Sequence, residues 1–218
     1  MLKFGKLYKV LLDKLRSSDQ LTYLIFGSRV WKKQLNTNWD VTTLVLKKAI
    51  DRYIKNNNKK VVDMGCGHLG LLTQYVKKNN QTNYIIGVDI YNDFVRNAEF
   101  NAYKNSMKIA FKRSNLYKNI KEKFDYVIFN PPYVPRRSFK INYPKASFSG
   151  NDGLYIIKKF LTNSKKHLND GGVIILGVNC FYIPLENILK IIKDNNYIIK
   201  DIVRKRFNTA KAFVLSLK

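Results

Sequence analysis

A chain of 218 residues, 45% hydrophobic and 13% aromatic, can bury one sizeable core, which excludes a disordered protein. Its 40 Lys and Arg against 15 Asp and Glu leave a net charge of +25, a field that favours a polyanionic partner, RNA first. Cys66 and Cys180 are too few for a disulfide framework and the apolar runs are short, so the expectation is a cytoplasmic protein with no membrane span.

Residues 1–40 read as a helical and irregular extension, and 41–218 as one domain. Phe4, Leu7, Leu11 and Leu15 share one face of a basic helix over 2–16. No small-residue cleavage signal follows, so it reads as a docked helix and not as a transit peptide. Residues 21–33 read as a short irregular or hairpin segment, and 41–55 as a helix. "KKVVDMG" is a first strand ending in glycine, followed by a helix over 69–78. "NYIIGVD" is a second strand. Tyr91, Phe94, Val95, Ala98 and Ala102 fall at helical spacing after it. "MKIAFKR" and "FDYVIFN" are the third and fourth strands, and 136–150 is a polar loop. A helix over 154–168 leads into a fifth strand, "GGVIILGVN". Pro184 opens a last helix, and "NYIIKDIV" and "AKAFVLSLK" close the chain as an antiparallel hairpin. Strand–helix alternation implies a Rossmann-like, doubly wound α/β fold with a mostly parallel seven-stranded sheet. Ligands of such sheets bind beyond the carboxyl ends of the strands.

The residues after the strands are therefore the informative ones. Gly65, Gly67 and Gly70 form G-x-G-x-x-G between a strand and a helix, where backbone can approach a ligand closely. His68 sits inside that loop and reads as a residue beside the ligand, not as a base. Asp89, followed by Ile90, ends strand two and suits a ribose diol, which by itself also fits a nicotinamide cofactor. Asp63 discriminates: a carboxylate just before the glycines repels a pyrophosphate and suits a cation carrying an amino group and a sulfonium. Asn115 and Leu116 follow strand three. Asn130, Pro131, Pro132 and Tyr133 end strand four. The prolines lack N–H groups and hold a bend that presents carbonyl oxygens. With the Asn130 side-chain oxygen they offer two acceptors side by side, the match for a planar NH2 group on which Tyr133 stacks. Arg136 and Arg137, with Lys140 and Lys145 beyond them, read as a basic lip for the substrate. Two His and two Cys at unrelated spacings make no metal site.

Together these four motifs resemble the class I S-adenosylmethionine-dependent methyltransferases, over roughly residues 59–218. The resemblance implies that Gly65 and Gly67 line the methionine moiety, Asp89 holds the ribose, and Asn115 stands beside the adenine. "NPPYVP", "ASFSGNDGL" at 146–154 and "TTLVLKKAI" at 42–50 resemble more narrowly the HemK/PrmC family of protein-glutamine methyltransferases. That family methylates a glutamine amide in peptide-chain release factors, so a translation factor is the expected partner. The stretch before the glycines is shorter than the bacterial members' helical substrate-recognition domain. It resembles a compact branch whose catalytic subunits work with a small partner subunit. The same Asn-Pro-Pro-Tyr geometry serves an exocyclic base amine in RNA or DNA, adenine N6 foremost, which the net charge favours. A small-molecule amine and a non-catalytic RNA-binding scaffold are weaker readings.

Overall fold

The computed structural model describes residues 11–31, 38–56, 58–80, 84–135, 149–206 and 208–218. Seven strands form one sheet: β1 (Lys60–Met64), β2 (Tyr84–Asp89), β3 (Ala110–Arg113), β4 (Phe124–Phe129), β5 (Leu168–Asn179), β6 (Tyr197–Arg204) and β7 (Ala210–Leu217). Their order is β3-β2-β1-β4-β5-β7-β6. The first five run parallel, and β7 is antiparallel to both of its neighbours, β5 and β6. A helix, Leu185–Asp194, carries the chain from β5 past one strand's width to β6, and β7 folds back into that gap. The expected parallel sheet with a terminal antiparallel hairpin is what forms.

Alternation along the strands splits the core in two. Val61, Ile128, Ile175 and Val214 pack on Val45, Leu46 and Ala49 of the Val41–Tyr53 helix. Val62, Phe129, Ile174 and Leu176 pack on Ile157, Phe160 and Leu161 of the Tyr155–Ser164 helix. Both faces of the sheet are thus covered, and β1 and β2 are buried along all but their first residue. Each fully buried aliphatic side chain contributes about 1.5–3 kcal/mol.

One expectation is corrected. The segment assigned to an irregular or hairpin structure contains an α-helix, Asp19–Phe26. Ser18 caps it by accepting from the Leu21 N–H at 3.2 Å, Asp19 suits its first turn, and Gly27 ends it at φ 70°. Its β-favouring Tyr23, Ile25 and Phe26 mask the caps in the sequence, but Phe26 anchors the helix in the core against Trp39 and Tyr75. Smaller shifts concern boundaries. β3 begins only at Ala110, β5 already at Leu168, and Pro184 is the cap of its helix. Residues 11–16 are helical, as expected, and residues 2–10 of that expectation lie outside the described residues. Among the described residues no helix is long and apolar enough to cross a membrane.

Candidate active site

Strand register assembles the site. Met64 of β1 pairs with Val88 of β2 and with Phe129 of β4, so the residues that follow these strands meet at one edge of the sheet. Gly65 stands against the Phe129 ring and the Asn130 carbonyl, 3.2 and 4.0 Å from where a Cβ would lie. Gly67 has φ 69°, and a Cβ there would meet nothing within 4 Å. The backbone at Gly67 thus needs glycine for its conformation and leaves room for a ligand to approach.

Asp89 closes the loop from the neighbouring strand. Its carboxylate accepts from the Gly67 N–H and from the Tyr91 N–H, both at 3.0 Å. Each oxygen keeps a lone pair, so a diol can still be bound. Burial raises its pKa against these two bonds. Asp63 is more deeply buried and accepts from the Thr73 hydroxyl at 2.6 Å. Burial, reinforced by the charge of Asp89, pushes its pKa up to about 7. Among the described residues no ion pair reaches either carboxylate. Asp63, a buried acid with no ion pair among the described residues, beside an open glycine turn, fits the cationic end of S-adenosylmethionine, and Asp89 fits a ribose diol.

His68 is 5% exposed, packs 5.8 Å from the Phe94 ring, and its Nε2 has no partner. Burial lowers its pKa to about 4, so it is neutral and a poor proton acceptor at physiological pH. Ile90 is exposed beside Asp89, as is Asn115 beyond β3. Leu116 is buried at φ 52°, a conformation a leucine adopts only when its surroundings impose it.

At the end of β4, Asn130 presents a buried Oδ1 that has no hydrogen-bond partner. Pro131 is buried beside it and Pro132 half-buried. Tyr133 has a different task from the stacking expected of it. It is 7% exposed, and its hydroxyl donates to Asp40 at 3.1 Å and lies 2.8 Å from the Thr42 hydroxyl. Burial raises its pKa well above the usual tyrosine value, so it stays protonated. It is a bolt from the turn after β4 to the start of the Val41–Tyr53 helix. Asp40 and Thr42 were not singled out as site residues, although Asp40 and Thr43 spell a capping box whose side chain and backbone bonds both form. Further support comes from "SGNDGL". The Ser149 N–H donates to the Val134 carbonyl at 3.2 Å, and Gly153, at φ 77°, lies directly against the Tyr133 carbonyl. Among the described residues, Phe181, just past β5, is an exposed aromatic at this edge, set edge-on to Tyr182, which in turn packs on Tyr133. Arg136 and Arg137, and Lys140 and Lys145 after them, lie outside the described residues.

Residues 36–202 match the family model described as Methyltransferase small domain. A release factor glutamine methyltransferase from Buchnera aphidicola is 29% identical over 174 residues, covering 72% of this chain and 61% of that protein. A ribosomal RNA small subunit methyltransferase C from Haemophilus influenzae is 30% identical over 152 residues, covering 69% of this chain and 40% of that protein. The chain therefore spans less than two thirds of the length of either relative. A solved methyltransferase structure from Pyrococcus furiosus superposes with a TM-score of 0.67 at 17% identity, over 97% of this chain and 96% of that one, which shows the shared fold.

Proposed function

We infer that this chain, which belongs to the methyltransferase small domain family, is an S-adenosylmethionine-dependent N-methyltransferase of the cytoplasm. Its target is a planar NH2 group, foremost the side-chain amide of a protein glutamine in a release-factor-type substrate. The observation that carries this reading is the buried, unpartnered Oδ1 of Asn130 next to two prolines.

Asp63 and the Gly65–Gly67 turn would hold the cofactor's amino acid end, Asp89 its ribose, and Ile90, Asn115 and Leu116 its base. When bound, the cofactor supplies a methyl group activated by a sulfonium. An amide nitrogen is a poor nucleophile because its lone pair is delocalised. Asn130 Oδ1 and the Pro131 carbonyl can accept its two N–H bonds. That pairing fixes the direction of the nitrogen lone pair and stabilises positive charge as it develops there. Tyr133 is buried, so the planar group would be covered by an exposed ring at this edge, for which Phe181 is a candidate. Neutral His68 takes no proton in this scheme, which leaves its release to solvent.

An exocyclic base amine in RNA is the second reading. It is favoured by the charge of +25 and by similarity to a protein named as a ribosomal RNA methyltransferase. Transfer of labelled methyl from S-adenosylmethionine into a cell extract separates the two. The expected label is protease-sensitive and nuclease-resistant, and acid hydrolysis releases it as methylamine. Label lost to nuclease would instead assign the base amine.

Cofactor binding should follow pH through Asp63. Its folded pKa, about 7, lies above the ordinary 3.8, so the free protein takes up a proton on folding. Stability of the free protein therefore falls as pH rises from about 4 to about 7 and then levels. A bound cation needs the carboxylate charged, so affinity moves the opposite way. Calorimetry should show S-adenosylmethionine binding tighten up to about tenfold per pH unit between about 5 and about 7. Asp63→Asn should bind weakly with a flat profile, and an equally steep profile in that variant would remove Asp63 from the cation site.

A further inference from the structure

At the opposite edge of the sheet lies a second feature that the proposed chemistry does not use. The helices Leu71–Asn79 and Asn92–Lys104 connect parallel strands, so their carboxyl ends fall at the strands' amino edge, away from Asp63, Asp89 and Asn130. With the segment after the Asp19–Phe26 helix they enclose a groove of about 650 Å³. Arg29, Lys77, Lys78, Lys104 and Lys108 line it, and among the described residues no acid does. Tyr23 and Trp31 share the lining, and Tyr103 flanks its extension. These rings are not core: Tyr23 is 45%, Trp31 44% and Tyr103 76% exposed.

Charges and rings are interleaved. The Lys104 ammonium lies 4.7 Å from the Trp31 ring centroid, and Arg29 and Lys78 each lie 5.7 Å from that of Tyr23. The wall is also held in place. The Arg29 N–H donates to Asn105 Oδ1 at 2.8 Å, Asn105 Nδ2 donates back to the Arg29 carbonyl at 2.9 Å, and the Trp31 N–H donates to Asn101 Oδ1 at 2.9 Å. Lysines near helix carboxyl ends suit the helix dipole. That accounts for Lys77, Lys78 and Lys104, but not for Arg29, Lys108 or three exposed rings.

We propose that this groove docks single-stranded RNA, with phosphates on the cations and unstacked bases on the rings. An acidic peptide would satisfy the cations and leave the rings unused, whereas a polynucleotide engages both. The surface is distinct from the methyl-transfer edge and does not depend on which nitrogen is methylated.

The test is fluorescence anisotropy with labelled single-stranded oligouridine across a salt series, with polyglutamate as the acidic competitor. Tyr103→Ala, at so exposed a position, leaves the fold intact and should weaken oligouridine binding about tenfold. Lys104→Ala with Lys108→Ala should weaken it and flatten the salt slope by about 1.4, two phosphate contacts at about 0.7 each. Lys158→Ala with Lys159→Ala, the same charge change on the exposed side of the Tyr155–Ser164 helix, should change neither. Calorimetric affinity for S-adenosylmethionine should be unchanged in all three. Parental affinity in Tyr103→Ala overturns the proposal. So does a Lys158 and Lys159 pair that costs as much as the groove pair, or polyglutamate displacing the RNA at matched charge.

Discussion

Asn130→Ala should lower kcat by about 10²–10³ with little change in KM, the usual cost of removing one well-placed group that stabilises charge in the transition state. The side chain's oxygen is buried and unpartnered, so the free protein loses no bond when it goes. The variant should therefore fold and bind cofactor like the parent. That separates a catalytic loss from a structural one. Asn130→Asp keeps an acceptor but adds a charge at the edge where the buried Asp63 and Asp89 already stand. It should retain a little activity and hold a cationic cofactor more tightly than the parent. Single-turnover kinetics on the methylated substrate check both, and a near-parental kcat in Asn130→Ala would end the two-acceptor scheme.

Much of this site is readable in the sequence because it sits on punctuation. Glycines, an acid and two prolines follow apolar strands at places where continuing the strand would be easier, and parallel pairing then brings those places together. Gly65, Asp89 and Asn130 are legible for that reason. The hydrogen bonds of Tyr133 are not legible in this way, because its partners Asp40 and Thr42 are over ninety residues away and only packing reveals them. The same holds for the groove, whose cations and rings come from three separate stretches of chain. The Asp19–Phe26 helix was missed for a local reason. An eight-residue helix with only Thr22 and Phe26 buried shows little period, so its β-favouring residues outweighed its caps. The insertion of β7 beside β5 likewise depends on a crossover that leaves a strand's width open, which no local pattern encodes.

Gly153→Ala should disable the enzyme from outside the reacting groups. Gly153 adopts φ 77°, which costs a residue with a side chain about 1–2 kcal/mol. The larger problem is direction, because its Cβ would overlap the carbonyl oxygen of Tyr133, which is backbone and has no rotamer to yield. The turn carrying Asn130 to Tyr133 cannot withdraw freely either. The Tyr133 hydroxyl is held by Asp40 and Thr42, and the Val134 carbonyl by the Ser149 N–H. Relief must come by displacing the turn, and a shift of about 1 Å at a positioning group costs about 10² in rate. Gly153→Ala is thus expected to lower kcat by about that factor and to lower the melting temperature. Calorimetric affinity for cofactor should stay near parental, because Asp63 and Asp89 lie on β1 and β2 and Gly67 in the turn after β1. Tyr133→Phe offers the complementary measurement, since it releases the bolt without adding bulk. Combined with Gly153→Ala it should lose less than the two separate losses multiplied, because an unbolted turn can move away from the new methyl group. Parental kcat in Gly153→Ala would mean that the turn is not held by "SGNDGL", and strictly multiplicative losses would mean that the two contacts hold different things.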